Sequence, residues 1–151
     1  MARQAREVSP TGYYHIMMRG NNKERIFEKE VQKKTLIKFL KTIGLEEEIS
    51  IVAYCLMDNH IHLIIKGELD DISMALKRVN IKYAMNFNVN NDRVGHVFQG
   101  RYKSEIIADD KYLLQVVRYI HNNPVNAKMV TNISSYKWSS YNEYIKGKYN
   151  V

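Results

Sequence analysis

The stretch Ile49–Ile65 reads ISIVAYCLMDNHIHLII. Two short β-rich runs, Ile49–Leu56 and His60–Ile65, flank a turn at Met57–Asn59, close enough to be antiparallel neighbours. The second run carries two of the chain's five histidines on alternate positions. Side chains on a strand alternate with period two, so His60 and His62 share one face. Ile61 and Leu63 point to the other, where helices are expected to pack. Two neutral imidazoles side by side on a sheet can coordinate one divalent cation. They can equally be surface histidines on an open face, and the pair alone does not decide.

Upstream, Tyr13–Met18 (YYHIMM) is β-prone and stops at the turn signal Gly20-Asn21-Asn22. Val31–Leu45 carries Leu36, Ile37, Leu40 and Ile43 at helical spacing. Downstream, Asp70 or Asp71 is expected to cap a second helix with the apolar face Ile72, Ala75, Leu76, Val79, Tyr83 and Phe87. Asn88–Gly95 is turn-like, and Val97–Ile107 reads as a further extended segment. Asp109 can cap a third helix over Asp110–Asn122, which Pro124 is expected to end. The tail SSYKWSSYNEY reads as a short helix or an aromatic flap. The order predicts an α+β fold: an antiparallel sheet with helices packed on one face, a ferredoxin-like or RRM-like βαββαβ core plus a C-terminal helix.

At 151 residues the chain is most simply one domain, 1–151, long enough to bury a core without staples. Its one cysteine, Cys55, excludes an intramolecular disulfide framework. No apolar run approaches bilayer-spanning length, and the basic N-terminus leads into no hydrophobic signal region. A soluble, cytoplasmic protein with no membrane partner is the expectation. The net charge is +7, and the excess is localised. Between Ala75 and Ser104 the basic residues are Lys77, Arg78, Lys82, Arg93, Arg101 and Lys103, against Asp92 alone. Tyr83, Phe87, Phe98 and Tyr102 are interleaved. Such a stripe suits a nucleic-acid backbone with unstacked bases, or else a solvated face above ordinary core aromatics.

In DDKYLLQVVRYIHNNP, Leu113, Val116, Val117 and Ile120 gather on one helical face. Tyr119 lies on its rim beside Tyr112, Gln115 and Asn123. Tyr119 and Asn123, four apart, stack on one side of the helix. The ordinary use of such a tyrosine is half-buried with its hydroxyl in water. A tyrosine and a carboxamide aimed together at a histidine pair would instead form a phosphodiester-cleaving site.

Five landmarks run in order along nearly the whole chain: YYHIMMRGNN, AYCLMDNHIHLII, GHVFQGRYKS, YLLQVVRYIHNNPVNAKMV and YKWSSYNEY. With them the chain resembles the single-tyrosine HUH transposases, and among these the REP-associated tyrosine transposase branch. HUH denotes His, a bulky hydrophobic residue and His, here His60, Ile61 and His62. The family's nucleophilic tyrosine falls on Tyr119, in a Tyr-x-x-x-Asn pattern completed by Asn123. One departure is Asp58, where relatives often carry proline. Asp58 shares the parity of His60 and His62, so it either adds a carboxylate near a metal or serves the turn, the commoner use of aspartate.

The resemblance implies metal-assisted cleavage and rejoining of single-stranded DNA beside a hairpin, through a 5′-phosphotyrosine. His60, His62 and Asn123 would hold Mg²⁺ or Mn²⁺. Three neutral ligands bind such a cation weakly until a phosphate adds its charge, and leave positions open for phosphate and water. With no thiolate cluster, a structural zinc site is not expected. Lys77, Arg78, Lys82, Arg101 and Lys103 are candidates for phosphate contacts, which position DNA without specifying its sequence. Arg19, Asn21 and Asn22 are expected near the metal site, where the first strand ends. His15, His96 and His121 read as surface or hydrogen-bonded histidines, with His121 pointing away from Tyr119.

Relatives occur as homodimers, in which one chain's tyrosine helix serves the other's histidines, and as monomers. Lys103–Asp110 leaves both arrangements open. Two other functions share the basic stripe: a catalytically inactive sequence-specific DNA-binding module, and an RNA-binding sheet with Tyr13 and Tyr102 as stacking platforms.

Overall fold

The computed structural model describes residues 5–145. The elements are β1 (Tyr13–Arg19), α1 (Glu30–Glu46), β2 (Ser50–Leu56), β3 (His60–Lys66), α2 (Leu69–Asn90), β4 (Lys103–Ile106), α3 (Asp110–Asn126) and α4 (Tyr141–Ile145). Short 3₁₀ turns occupy Asn21–Lys23 and Ile133–Ser135. The sheet order is β2-β3-β1-β4 and every neighbouring pair is antiparallel. The expected α+β class and βαββαβ core are present, and the Ile49–Ile65 stretch is the hairpin β2–β3 that forms one side of the sheet.

One face of the sheet carries Tyr14, Ile16 and Met18 from β1 and Ile61, Leu63 and Ile65 from β3, all buried. Leu36, Leu40 and Ile43 of α1 and Ile72, Leu76, Val79, Tyr83 and Phe87 of α2 pack onto it. Removing each large side chain from water stabilises the fold by ~1.5–3 kcal/mol, so this layer dominates the core. Tyr83 donates its buried hydroxyl to the Ile26 carbonyl, which ties α2 to the loop after β1.

Helices cover one face only within the βαββαβ core; α3 lies on the opposite face. The reason is visible in β3, whose second face changes character along the strand. His60 and His62 are followed by Ile64, and Ile64 joins Ala53, Cys55 and Met57 in a second apolar cluster. Val116 and Ile120 of α3, Ile107 and Tyr136 close that cluster. The helix thus covers the apolar end of the face and reaches the histidines only with its rim.

Three local expectations need correction, and one open alternative is decided. Helix α2 begins at Leu69 with Glu68 at the N-cap, so Asp70 and Asp71 lie inside the first turn. Their charge favours that end of the helix dipole without capping it. Helix α3 runs through Pro124 to Asn126. Pro124 lacks the N–H that would bond to the Ile120 carbonyl and crowds that carbonyl, but it falls in the last turn, and the ladder resumes when the Ala127 N–H donates to the Asn123 carbonyl at 2.9 Å. Only Lys103–Ile106 of the Val97–Ile107 run is strand, because Gly100 takes a left-handed φ of +63° that breaks the extended chain. Tyr83, Phe87, Phe98 and Tyr102 all pack with the α1–α2 core, so the basic stripe carries core aromatics and no stacking platform there.

Candidate active site

The turn between β2 and β3 is built before any chemistry is placed on it. The Lys33 ammonium is almost fully buried and donates to Asp58 Oδ1 at 3.1 Å and to the Glu28 carbonyl at 3.1 Å. Asp58 is therefore engaged by the turn. Its main-chain carbonyl accepts the Phe27 N–H at 2.9 Å, and the Asn59 carbonyl accepts the Gly20 N–H at 2.9 Å. Gly20 has no room for a side chain: a Cβ there would stand 2.2 Å from the Glu24 carbonyl oxygen. The end of β1 is thereby fastened to the turn that carries His60.

His60 and His62 lie on one face of β3 with ring centroids 5.1 Å apart and planes almost perpendicular. Asn59 Oδ1 stands 2.7 Å from His60 Nδ1. His62 is buried at 4 % exposure, and burial, reinforced by His60, His15 and Arg19, pushes its pKa down to about 3. His60 is also lowered, by burial and then by the Arg19 guanidinium. Neutral imidazoles are the metal-binding form, so both keep a lone pair for a cation.

Tyr119 arrives from above on α3. The Asp109 carboxylate starts this helix by accepting the Tyr112 N–H at 2.8 Å. Val116 and Ile120 seat it on the sheet, and Tyr119 on the rim meets His62 edge-on with ring centroids 5.8 Å apart. Its ring stands 6.2 Å from that of His15. Tyr119 remains 53 % exposed, enough for a substrate to reach its hydroxyl. Asn123 follows one turn later on α3 and is half-buried. His121 is buried on another side of the helix, where Nε2 lies 2.7 Å from Ser140 Oγ.

His15, which the sequence leaves as a surface or hydrogen-bonded histidine, is hydrogen-bonded: its Nε2 stands 3.1 Å from His62 Nδ1 and the two rings stack. In the β1–β3 register Met17 is opposite His62, so His15 is the diagonal neighbour, within reach of an aromatic ring. The alternation of Tyr14, Ile16 and Met18 into the core puts His15 on the second face. Which strand lies beside it is decided only by pairing.

The basic residues divide. Arg19 is opposite His60 in the register, and with Met17, Gln99, Arg101 and Lys103 it lines a small cleft of about 60 Å³. Asn21 and Asn22 follow in the exposed 3₁₀ turn, Asn22 with a φ of 55°. Lys77, Arg78 and Lys82 lie on α2, across the sheet from the histidines. Arg78 is bound to Glu46 at 2.5 Å and Glu47 at 2.9 Å. Lys82 sits over the Phe39 ring at 4.8 Å.

Among the described residues no group of three or more His, Cys, Asp or Glu side chains is arranged to hold a metal ion. The donors the sheet offers at this site are two neutral imidazoles, with Asn123 one turn beyond Tyr119 on the facing helix. Such a set suits a labile divalent cation completed by substrate oxygens, and the paired Nδ1 contacts are consistent with Nε2 ligation. None of the described helices is long and apolar enough to cross a membrane.

Comparison with known proteins gives concordant results. A candidate REP-associated tyrosine transposase of Haemophilus influenzae is 28% identical over 108 residues, 64% of this chain. The chain spans 61% of the length of that curated relative. Among solved structures, a REP-associated tyrosine transposase bound to a REP hairpin superposes with a TM-score of 0.78 at 20% identity, covering 99% of this chain and 88% of that one. A candidate transposase from Deinococcus radiodurans gives a TM-score of 0.54 at 17% identity, covering 80% of this chain and 97% of that one. Residues 9–123, from the approach to β1 through Asn123, match the IS200-like transposase family, and the chain belongs to that family.

Proposed function

We propose that this protein is a DNA transposase, a single-stranded DNA endonuclease and strand transferase acting at hairpin-flanked sites through a 5′-phosphotyrosine. The observation that carries the reading is the tyrosine of α3 standing edge-on to His62, half-exposed, with a basic cleft beside it. The hairpin as substrate is supported by the relative solved with a REP hairpin.

Arg19, Arg101 and Lys103 would bind the DNA backbone along the uncovered β1–β4 half of the sheet and align the scissile phosphate. The Tyr119 hydroxyl attacks the phosphorus in line, and the bond to the 3′ oxygen breaks. The tyrosine proton is lost, the departing oxygen gains one, and a free 3′-hydroxyl is released. The phosphodiester energy stays in the tyrosine ester, so another 3′-hydroxyl can reverse the step without a nucleotide cofactor. His60, His62 and Asn123 would hold Mg²⁺ or Mn²⁺, whose charge stabilises the phosphoryl oxygens as negative charge develops. Neutral imidazoles packed this closely avoid the repulsion that two imidazolium ions would suffer.

A hairpin oligonucleotide with a single-stranded flank, incubated with Mn²⁺, is expected to leave a denaturant-resistant protein–DNA adduct. Tyr119→Phe should abolish it and His60→Ala should reduce it at least tenfold. Hairpin binding with no adduct under any divalent metal would favour an inactive DNA-binding module. An adduct persisting in Tyr119→Phe would overturn the choice of nucleophile.

A further inference from the structure

We propose that His15 is a positioning residue, holding His62 in the tautomer whose Nε2 is free to ligate the cation. The inference rests on the metal reading above and adds a residue to it. Its basis is the 3.1 Å contact between His15 Nε2 and His62 Nδ1 together with the stacking of the two rings at 5.3 Å. Two uncharged imidazoles can share only one proton along such a contact. Either His62 donates from Nδ1, leaving its Nε2 as a lone pair, or His15 donates and His62 must carry its own proton on Nε2. Only the first arrangement leaves His62 a ligand.

Two features favour it. Glu105 is the direct partner of His15 across β1 and β4. A proton held on the remaining nitrogen of His15, Nδ1, by that neighbouring carboxylate would leave Nε2 as the acceptor. His60 meets the same constraint by a different partner, because Asn59 Oδ1 stands at 2.7 Å from its Nδ1. An amide oxygen can only accept, so His60 donates from Nδ1 and keeps Nε2 free. Both ligands are thus held through Nδ1, one by the turn and one by the neighbouring strand. Tyr119 closes over the same pair, touching His62 and His15 alike. His15 consequently also limits how the His62 ring can tilt under the tyrosine. Metal-ligating histidines commonly depend on such a partner, and its loss costs about 10–100-fold in metal affinity.

The test is Mn²⁺ binding without DNA, followed by electron paramagnetic resonance, beside ¹⁵N NMR of the metal-free histidine rings. In the wild type the His62 ring should carry its proton on Nδ1. His15→Phe, which keeps a ring but offers no acceptor, should weaken Mn²⁺ about 10–100-fold. His15→Gln, which can return an oxygen near the position of Nε2, should recover most of the loss. A His62 proton on Nε2 in the wild type, or Mn²⁺ affinity unchanged in His15→Phe, would overturn the proposal while leaving the metal reading intact. Failure of the wild type to bind Mn²⁺ both alone and with the hairpin DNA present would overturn both. The NMR arm needs no variant, so a misfolded substitution does not protect the idea.

Discussion

Asp58 is the residue whose meaning depends most on its surroundings. By parity along the strand it could have faced a cation with His60 and His62. The buried Lys33 ammonium, 3.1 Å away, shows that the carboxylate serves the turn instead. Asp58 is partly exposed, which weakens the pair, while Lys33 is enclosed and would be left without its carboxylate. Asp58→Asn is therefore expected to destabilise the fold by about 1–3 kcal/mol, read as a shift of the urea midpoint. Lys33→Met should cost a similar amount. The double variant should lose clearly less than the sum of the two; strict additivity would mean that the two side chains are not coupled. The histidine pair was legible in the sequence because it needs only the strand period. Lys33 was not, since a lysine in the first turns of a helix gives no sign that another segment will cover it.

At the scale of the element, α3 has to be in place before Tyr119 can be. Its periodicity was readable from Leu113, Val116, Val117 and Ile120, and so was its start. Asp109 accepts the Tyr112 N–H as expected, and replacing such a cap by alanine costs about 1 kcal/mol. Asp109→Ala should lower stability by about that amount in thermal or urea unfolding. Because the cap is more than two turns from Tyr119, adduct formation at a temperature well below the transition should fall less than twofold. A larger loss of activity would mean that the first turn of α3 takes part in holding DNA. The helix end lies past Pro124, at Asn126, where the local pattern predicts an earlier stop. A helix survives a proline when the surrounding residues bury it, and a local pattern carries no information about that burial. Helix α2 teaches the converse. Its apolar face follows from the 3.6-residue period, but proximity in sequence groups its basic residues with Arg101 and Lys103, and the fold puts the two sets on opposite sides of the sheet.

For the molecule as a whole, the main consequence is that one chain contains both halves of the site. The connection from β4 to α3 brings Tyr119 onto the histidines of its own sheet, with the rings of Tyr119 and His62 5.8 Å apart. A mixture of His60→Ala and Tyr119→Phe proteins is accordingly expected to form no more adduct than the two variants separately. Recovery to a sizeable fraction of wild-type activity on mixing would show that tyrosine helices are exchanged between chains. Under the proposed function, the uncovered half of the second face, with Arg19, Arg101 and Lys103, would be the approach for DNA, while α3 covers the other half.

The sequence by itself determined the elements, the alternation that aims His60 and His62 away from the core, the side of the helix that carries Tyr119 and Asn123, and the family. All of these follow from periods of 2 and 3.6 residues and from short motifs, which are local. Tertiary structure alone decided that Asp58 is engaged by Lys33, that His15 lies diagonally beside His62, that α2's cations lie across the sheet from the histidines, and that the Tyr119 ring lies against His62 of its own chain. Each of these depends on which apolar surface a segment finds to cover. That choice is made by burial between residues far apart in sequence, so no local pattern contains it.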